Sequence, residues 1–142
     1  MFYNIFMMPN MKNPKPEQAI SRLLETIGKP ARIRILLAIG EDEACVCHLE
    51  AVLGLRQAYI SQHLMALREA GLLLPQRDGR FIFYRLADLQ LLNLIEKAAV
   101  ISGLPTDDIP QRVGIKSKTA CCCPRCSDEL ITIDIGQPPQ RA

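Results

Sequence analysis

Residues 57–86 read QAYISQHLMALREAGLLLPQRDGRFIFYRL, and their hydrophobic period changes half-way along. At 100° per residue, Ile60, Leu64 and Leu67 fall on one face of a helical wheel. The first half is therefore predicted to form a helix with a small, polar outer face. Gly71 follows it, which is the residue type that most often ends a helix.

The second half of this stretch has the pattern of a β-hairpin. Short apolar runs at residues 72–74 and 81–84 are separated by the turn signal Asp78-Gly79. Such a pair of runs predicts two antiparallel strands joined by a tight turn. Arg77 and Arg80 would then lie at or near the tip of the hairpin.

Helical spacing of apolar residues recurs on both sides of this stretch. Of the 142 residues 49% are hydrophobic, but only 5% are aromatic and none is Trp, so the core is expected to be aliphatic and mainly helical. We therefore predict a mainly helical (α+β) domain of five helices with one hairpin. The predicted helices are at residues 17–27, 31–39, 46–53, 57–70 and 88–101.

The domain is predicted to cover residues 16–103. Residues 1–15 are expected to form a flexible arm, and residues 104–142 a cysteine-rich tail with proline and glutamine at its end. No apolar run approaches the roughly 18 residues of a membrane span. The first residues lack a basic leader and a cleavage site, so a cytoplasmic protein is expected. Several early methionines leave the start codon open.

The order of elements predicts DNA binding. A short helix, a tight turn and a helix with a polar outer face are able to enter the major groove. Residues 56–85 carry five arginines against two acidic residues, the pattern of a small nucleic-acid footprint. The alternative is a helical domain with an ordinary surface hairpin.

The same residues resemble the ArsR/SmtB family of dimeric winged-helix metal-sensing repressors. The resemblance rests on GKPARIRILLAIG at 28–40 and on ACVCHLEAVLGLRQAYISQHLMALREAGLLLPQRDGRFIFYRL at 44–86. It implies a winged helix-turn-helix homodimer built on the first and last helices. It also implies binding to a palindromic operator and relief of repression by a ligand. Leu91 and Leu94, off the main apolar stripe, are expected to bury against the second copy.

The resemblance places the residues that contact base edges at the start of the 57–70 helix, and the hairpin arginines near phosphates. His63 lies on the flank of that helix and is interpreted as a partly buried packing residue with a satisfied nitrogen rather than as a ligand. The predicted DNA-binding residues are Gln57, Ala58, Tyr59, Ser61, Gln62, Arg68, Arg77 and Arg80.

Cys45-Val46-Cys47 resembles the C-V-C of family members that bind arsenite, antimonite, cadmium or lead at the third helix. Thiolates suit soft ions. Two residues at i and i+2 point apart inside a regular helix, but at a frayed first turn they are able to share one ion. The alternative is a pair of buried structural cysteines.

The match departs from the family at two neighbouring positions. Glu50 stands where arsenic sensors often have a third cysteine, and His48 where aspartate is usual. Between Asp88 and Gly103 there is no histidine, so a zinc sensor that uses the final helix is disfavoured.

The tail carries four more cysteines. They could complete the Cys45/Cys47 site within one chain or across the dimer, form a site of their own, or hold a structural zinc ion. They could also belong to a disordered tail that merely oxidises. The tail residues predicted as metal ligands are Cys121, Cys122, Cys123 and Cys126.

The function predicted from these observations is a DNA-binding repressor, with no cofactor required for DNA binding, that a soft metal or metalloid releases from its operator. Arsenite or antimonite is the first choice of inducer. The alternatives are a cadmium or lead sensor and a thiol-redox-responsive repressor. A thiol oxidoreductase, suggested by Cys-Pro-Arg-Cys, is remote because no catalytic set of residues accompanies it. The sequence leaves the ion, the operator and the target genes open.

Overall fold

The computed structural model describes residues 14–105 and residue 108. Within them, the structure has the five α-helices and the β-hairpin that the sequence predicted. The predicted arm and tail lie almost entirely outside the described residues. The elements in chain order are α1 (Pro16–Ile27), α2 (Pro30–Ile39), β1 (Ala44–Cys45), α3 (Val46–Leu53), α4 (Gln57–Glu69), β2 (Leu73–Asp78), β3 (Phe81–Leu86) and α5 (Gln90–Ile101).

The turn between α3 and α4 is fixed by one glycine and one arginine. Gly54 ends α3 in the left-handed conformation, with φ 64° and ψ 25°, which glycine adopts without steric cost. Arg34 of α2 donates from Nη2 to the carbonyl oxygen of Leu53 at 3.0 Å, which satisfies one of the open carbonyls at the end of the helix. Together they set the angle at which α4 leaves α3.

The inward face of α4 is the one the helical wheel predicted. Ile60, Leu64 and Leu67 are at most 1% exposed, whereas Gln62 and Met65 lie on the exposed face. The three buried side chains join aliphatic residues of every other helix and of the sheet. The buried members of this main core are Ile27, Ile35, Leu36, Leu37, Ala38, Ile39, Ala44, Leu49, Ile60, Leu64, Leu67, Leu72, Leu73, Leu86, Leu91, Leu92 and Ile95.

The sheet contains one strand that the sequence did not predict. Its order is β1-β3-β2, with all pairs antiparallel. The two residues of β1 pair with β3, Ala44 opposite Tyr84 and Cys45 opposite Phe83. The hairpin of β2 and β3, which we call the wing (residues 73–86), has longer strands than the apolar runs indicated. The polar residues near its turn complete the ladder.

The sheet separates two apolar clusters. Because alternate residues of a strand face opposite sides, Tyr84 and Leu86 contact the main core, while Phe83 faces away from it. On that second side lies the sulfur–aromatic cluster, which consists of Cys45, Cys47, Phe81 and Phe83. The predicted metal ligands of the domain therefore lie against the wing.

The face that α5 buries differs from the predicted one. Leu91, expected to face a second copy, is 5% exposed and belongs to the core, whereas Leu89, directly before the helix, is 50% exposed. Leu94 is partly buried against the core. The polar residues Gln90, Asn93, Glu96 and Lys97 share one side of the helix, and Leu91, Leu92 and Ile95 are buried on the opposite side. Apolar residues cover the rest of the circumference, and packing against α2 decides which of them are buried.

Several large apolar side chains on the first and last helices remain exposed in the single chain. Ile20 and Leu24 project from α1, and the others lie on α5 or beside its two ends. The exposed set is Ile20, Leu24, Leu89, Val100, Ile101 and Leu104.

None of the helices in the described part of the chain has the length and apolar character needed to cross a membrane.

Candidate functional site

The predicted base-reading residues share the outer face of α4. Gln57, Ala58 and Gln62 are exposed, Tyr59 is 45% exposed, and Ser61 is half-buried on the flank. Met65 extends this face by one turn at 61% exposure. Helix α4 thus presents short polar groups near its N-terminus, the end that meets base edges when a recognition helix enters the major groove.

The predicted DNA-binding arginines are all exposed. Arg68 lies in the last turn of α4, Arg77 in β2, and Arg80 directly after Gly79 in the turn of the wing. Gly79 has φ 59°, a left-handed conformation that suits a tight hairpin turn. The wing therefore carries two cations at its tip, where they are free to approach a phosphate backbone.

A set of hydrogen bonds that the sequence pattern did not predict connects α4 to α2 and α1. Arg32 of α2 donates from Nε to His63 Nδ1 at 3.3 Å and from Nη1 to the carbonyl oxygen of Thr26 at 2.7 Å. The ring of Tyr59 contacts the His63 ring edge-on, with 4.5 Å between centroids. His63 is thus a half-buried packing residue with one nitrogen satisfied, as predicted. Arg32 holds the recognition helix against its two neighbours.

The surroundings of His63 oppose its protonation. Burial of the ring lowers the pKa of His63 below its ordinary 6.5, and the positive charges of Arg32 and Lys29 lower it further. A protonated Nδ1 would also no longer accept the hydrogen bond from Arg32. The native state accordingly binds this proton more weakly than the unfolded chain does.

This difference predicts a pH-dependent stability. The contribution of neutral His63 is complete above the unfolded pKa and is lost as the pH falls below it towards the lowered native pKa. We expect the thermal midpoint of the wild type to fall more steeply between about pH 7 and pH 5 than that of His63→Gln, whose amide oxygen still accepts from Arg32. Calorimetry of both proteins across this range measures the difference. Parallel curves would show that His63 titrates normally.

The cysteine pair, Cys45 and Cys47, is brought together at the start of α3. Their Sγ atoms are 3.1 Å apart, and neither is in a disulfide. Cys45 is the N-cap residue with an extended backbone, φ −86° and ψ 166°, so its side chain is not on the helical wheel and turns towards that of Cys47. The two sulfurs of the predicted ion site are therefore adjacent, and their sharing of one ion stays a prediction.

The helix start also suits a thiolate. The backbone N–H of His48 donates to Cys45 Sγ at 3.4 Å, and amide donors at a helix N-terminus stabilise negative charge. Cys45 is 2% exposed and Cys47 is half-buried. The side chain of His48 is buried, and this burial lowers its pKa below the ordinary value.

The described residues supply two sulfurs but not a complete metal site. Across residues 14–105 and 108, no group of three or more His, Cys, Asp and Glu side chains converges. Glu50, at the usual position of a third ligand, is exposed on α3. The tail residues Cys121, Cys122, Cys123 and Cys126 lie outside the described residues, so their predicted participation stays a prediction.

A helix-turn-helix with an exposed polar recognition helix, followed by a wing with arginines at its tip, defines a winged-helix DNA-binding regulator. Residues 29–73 match the model of the bacterial regulatory proteins of the arsR family. The biofilm growth-associated repressor of Agrobacterium fabrum is 38% identical over 102 residues, which cover 72% of this chain and 86% of that one. The chain belongs to the ArsR/SmtB family and is a transcriptional repressor, not an enzyme.

Other relatives and solved structures agree. The transcriptional repressor SmtB of Mycobacterium tuberculosis is 36% identical over 98 residues, 67% of this chain and 73% of that protein. The arsenic resistance regulator ArsR1 of Pseudomonas putida is 50% identical over 56 residues, 39% and 43% of the two chains. The crystal structure of the repressor BigR from Xylella fastidiosa superposes with a TM-score of 0.56 at 32% identity, over 60% of this chain and 87% of that one. The structure of HlyU from Vibrio cholerae superposes with a TM-score of 0.55 at 28% sequence identity, over 62% of this chain and 97% of that one.

Proposed function

We propose that this repressor binds a palindromic operator in the cytoplasm as a homodimer and is released when the cysteine pair binds a thiophilic ion, with arsenite or antimonite as the first choice. The observation that carries the proposal is the 3.1 Å approach of the two Sγ atoms at the start of α3. No cofactor is needed for the DNA-bound state, because the reading face of α4 is built from the chain's own side chains.

The donor set favours a trivalent metalloid over a hard ion. Two thiolates match a soft ion, and arsenic(III) or antimony(III) needs a third sulfur that the described residues do not supply. We propose that a cysteine among Cys121, Cys122, Cys123 and Cys126 supplies it, within one chain or across the dimer. A structural zinc ion held by those four sulfurs is the competing use of the tail. The name of the relative ArsR1 supports the choice of arsenic.

The test is a competition between ions on the reduced protein bound to its own promoter DNA. Arsenite, antimonite, Cd²⁺, Pb²⁺ and Zn²⁺ are titrated separately, and the fraction of bound DNA is followed by fluorescence anisotropy. Release by arsenite and antimonite below the concentrations needed for the other ions supports the proposal. Release by Cd²⁺ or Pb²⁺ alone would make the protein a sensor of those ions. No release by any ion would contradict the proposal.

The same short distance favours a second candidate, a redox switch within the cysteine pair. Oxidation by hydrogen peroxide would join the two sulfurs in a disulfide bond. The two thiols give up two protons and two electrons, and the peroxide is reduced to two molecules of water. Metal-free treatment with hydrogen peroxide, followed by reduction with dithiothreitol, distinguishes this candidate. Reversible loss of DNA binding without any ion would favour it.

The exposed apolar residues of α1 and α5 predict how the dimer forms. We expect Ile20→Glu and Ile101→Glu each to weaken association by about 2 kcal/mol or more, roughly 30-fold in the dissociation constant, because each buries a charge in an apolar interface. Met65→Glu is the matched control, since Met65 is as exposed as Ile20 but lies on α4. Sedimentation velocity measures all three. A dimer unaffected by both isoleucine variants would place the interface elsewhere.

A further inference from the structure

One wall of the proposed ion site is the wing itself. Cys45 faces Phe83 across the β1–β3 ladder, and each of these side chains is 2% exposed. Cys47 and Phe81 pack around them on the side of the sheet that faces away from the main core. A change at the sulfurs therefore acts directly on strand β3 of the wing, in addition to the start of α3.

An ion cannot reach Cys45 in this arrangement without displacing a neighbour. Protein interiors are packed as densely as organic crystals, and an added group forces the surrounding side chains or backbone to shift. Cys47 is the other proposed ligand, and Ala44 is anchored in the main core. The remaining members of the cluster are Phe81 and Phe83 of β3, and Phe83 is the buried one that lies opposite Cys45.

We infer that Phe83 is a positioning residue that transmits occupation of the cysteine pair to the wing, so that release of DNA follows from displacement of the wing. The inference rests on the proposed function, because it concerns how that site is read out. It adds a residue that neither binds the ion nor contacts DNA.

The ladder of the wing explains how the displacement would reach the DNA-facing side chains. Phe83 lies opposite Gln76 of β2, and the next pairs are Arg77 with Ile82 and Asp78 with Phe81. The two strands are hydrogen-bonded along their whole length, so they move as a unit. A shift at Phe83 is thus carried to Arg77 and to the turn that bears Arg80, and both would lose their alignment with phosphates.

The test uses phenylarsine oxide, a trivalent arsenical that bonds to two thiolates. Each thiol gives its proton to the arsenic-bound oxygen, which leaves as water, so two cysteines are enough. The background is the full-length chain in which the competing thiols are removed, with Cys121→Ser, Cys122→Ser, Cys123→Ser and Cys126→Ser. In this background Phe83→Leu removes the ring but keeps an apolar side chain. Ile82→Leu is the matched control, since residue 82 lies next in the strand and faces the other side of the sheet.

We expect phenylarsine oxide to weaken DNA binding of the background protein and of Ile82→Leu by a factor in the range of about 5 to 150 that is typical of coupled sites. Phe83→Leu should bind the probe with the same stoichiometry, measured by mass spectrometry. It should bind the probe at least as tightly, because the smaller side chain leaves room. The loss of DNA affinity that the probe causes should nevertheless be several-fold smaller in this variant. Phe83→Met, closer in volume, replaces the leucine variant if that protein does not fold.

Hydrogen exchange in the absence of DNA provides a readout that a merely structural role would not change. Probe binding should accelerate exchange of the amides of residues 73–86 in the background protein and in Ile82→Leu, but much less in Phe83→Leu. Equal release and equal exchange in all three proteins would overturn the inference and leave the proposed function standing. A background protein that binds the probe at Cys45 and Cys47 and keeps its DNA would also overturn the inference, whereas the proposed function is tested separately by release of the wild-type protein with arsenite.

Discussion

Cys45→Ser and Cys47→Ser are each expected to bind operator DNA within about threefold of the wild type and to lose release by arsenite. Serine differs from cysteine only in having oxygen in place of sulfur, so the start of α3 should fold normally, but a hydroxyl is a poor ligand for a soft ion. For the wild type, coupling of about 1–3 kcal/mol corresponds to a 5- to 150-fold loss of DNA affinity at saturating arsenite. Anisotropy titrations with and without arsenite measure both quantities.

Two further variants make this result specific to the sulfurs. Val46→Ala alters the same helical turn between the two cysteines but keeps both thiols, and it should still release DNA. Removal of residues 119–142 tests the proposed third ligand, and it should blunt release while leaving DNA binding intact. Normal release from the shortened chain would make the tail a separate site. Normal release from both serine variants would assign sensing to the tail cysteines.

Alanine substitutions on α4 and on the wing are expected to affect DNA binding in two different ways. Gln62→Ala and Ser61→Ala should each reduce discrimination between the operator and unrelated DNA by about 1–3 kcal/mol, because they remove contacts with base edges. Arg77→Ala and Arg80→Ala should weaken binding to all sequences alike and lower the slope of log K against log salt by about one unit per lost phosphate contact.

The chain offers matched controls for both groups. Gln18→Ala removes an exposed glutamine from α1, and Gln76→Ala removes an exposed neutral side chain next to Arg77. Both should leave affinity and the salt slope unchanged. Binding isotherms on operator and scrambled DNA at several salt concentrations separate the two effects. Unchanged selectivity and slope in all four test variants would argue against reading by α4 and the wing.

Most of the domain could be predicted from the local pattern of the chain. The 3.6-residue period of Ile60, Leu64 and Leu67 predicted both the helix α4 and its buried face, and the structure confirms them. The helix α3 begins and ends where it was predicted, with the cysteine pair at its first turn. These features depend on neighbours a few residues apart, and their spacing is visible in the sequence itself.

The strand β1 could not be predicted in this way. Two residues have no measurable period, and Ala44 and Cys45 are extended because β3 offers them hydrogen bonds and a buried neighbour in Phe83. The partner lies far along the chain, in the wing. The contact between the cysteine pair and the wing is therefore a product of the tertiary structure, although both of its parts were recognised separately.

The same distinction applies to α5 and to the support of α4. Local composition determined that α5 is a helix with one polar side, but apolar residues cover the rest of its circumference, and packing against α2 decided which of them are buried. Likewise, nothing in the spacing of Arg32 and His63 marks them as partners. The sequence alone thus determined the elements, the reading face and the position of the thiols, because these are encoded over one or two turns. Which surfaces meet was decided by the tertiary structure, because the free energy of burial depends on what each side chain packs against.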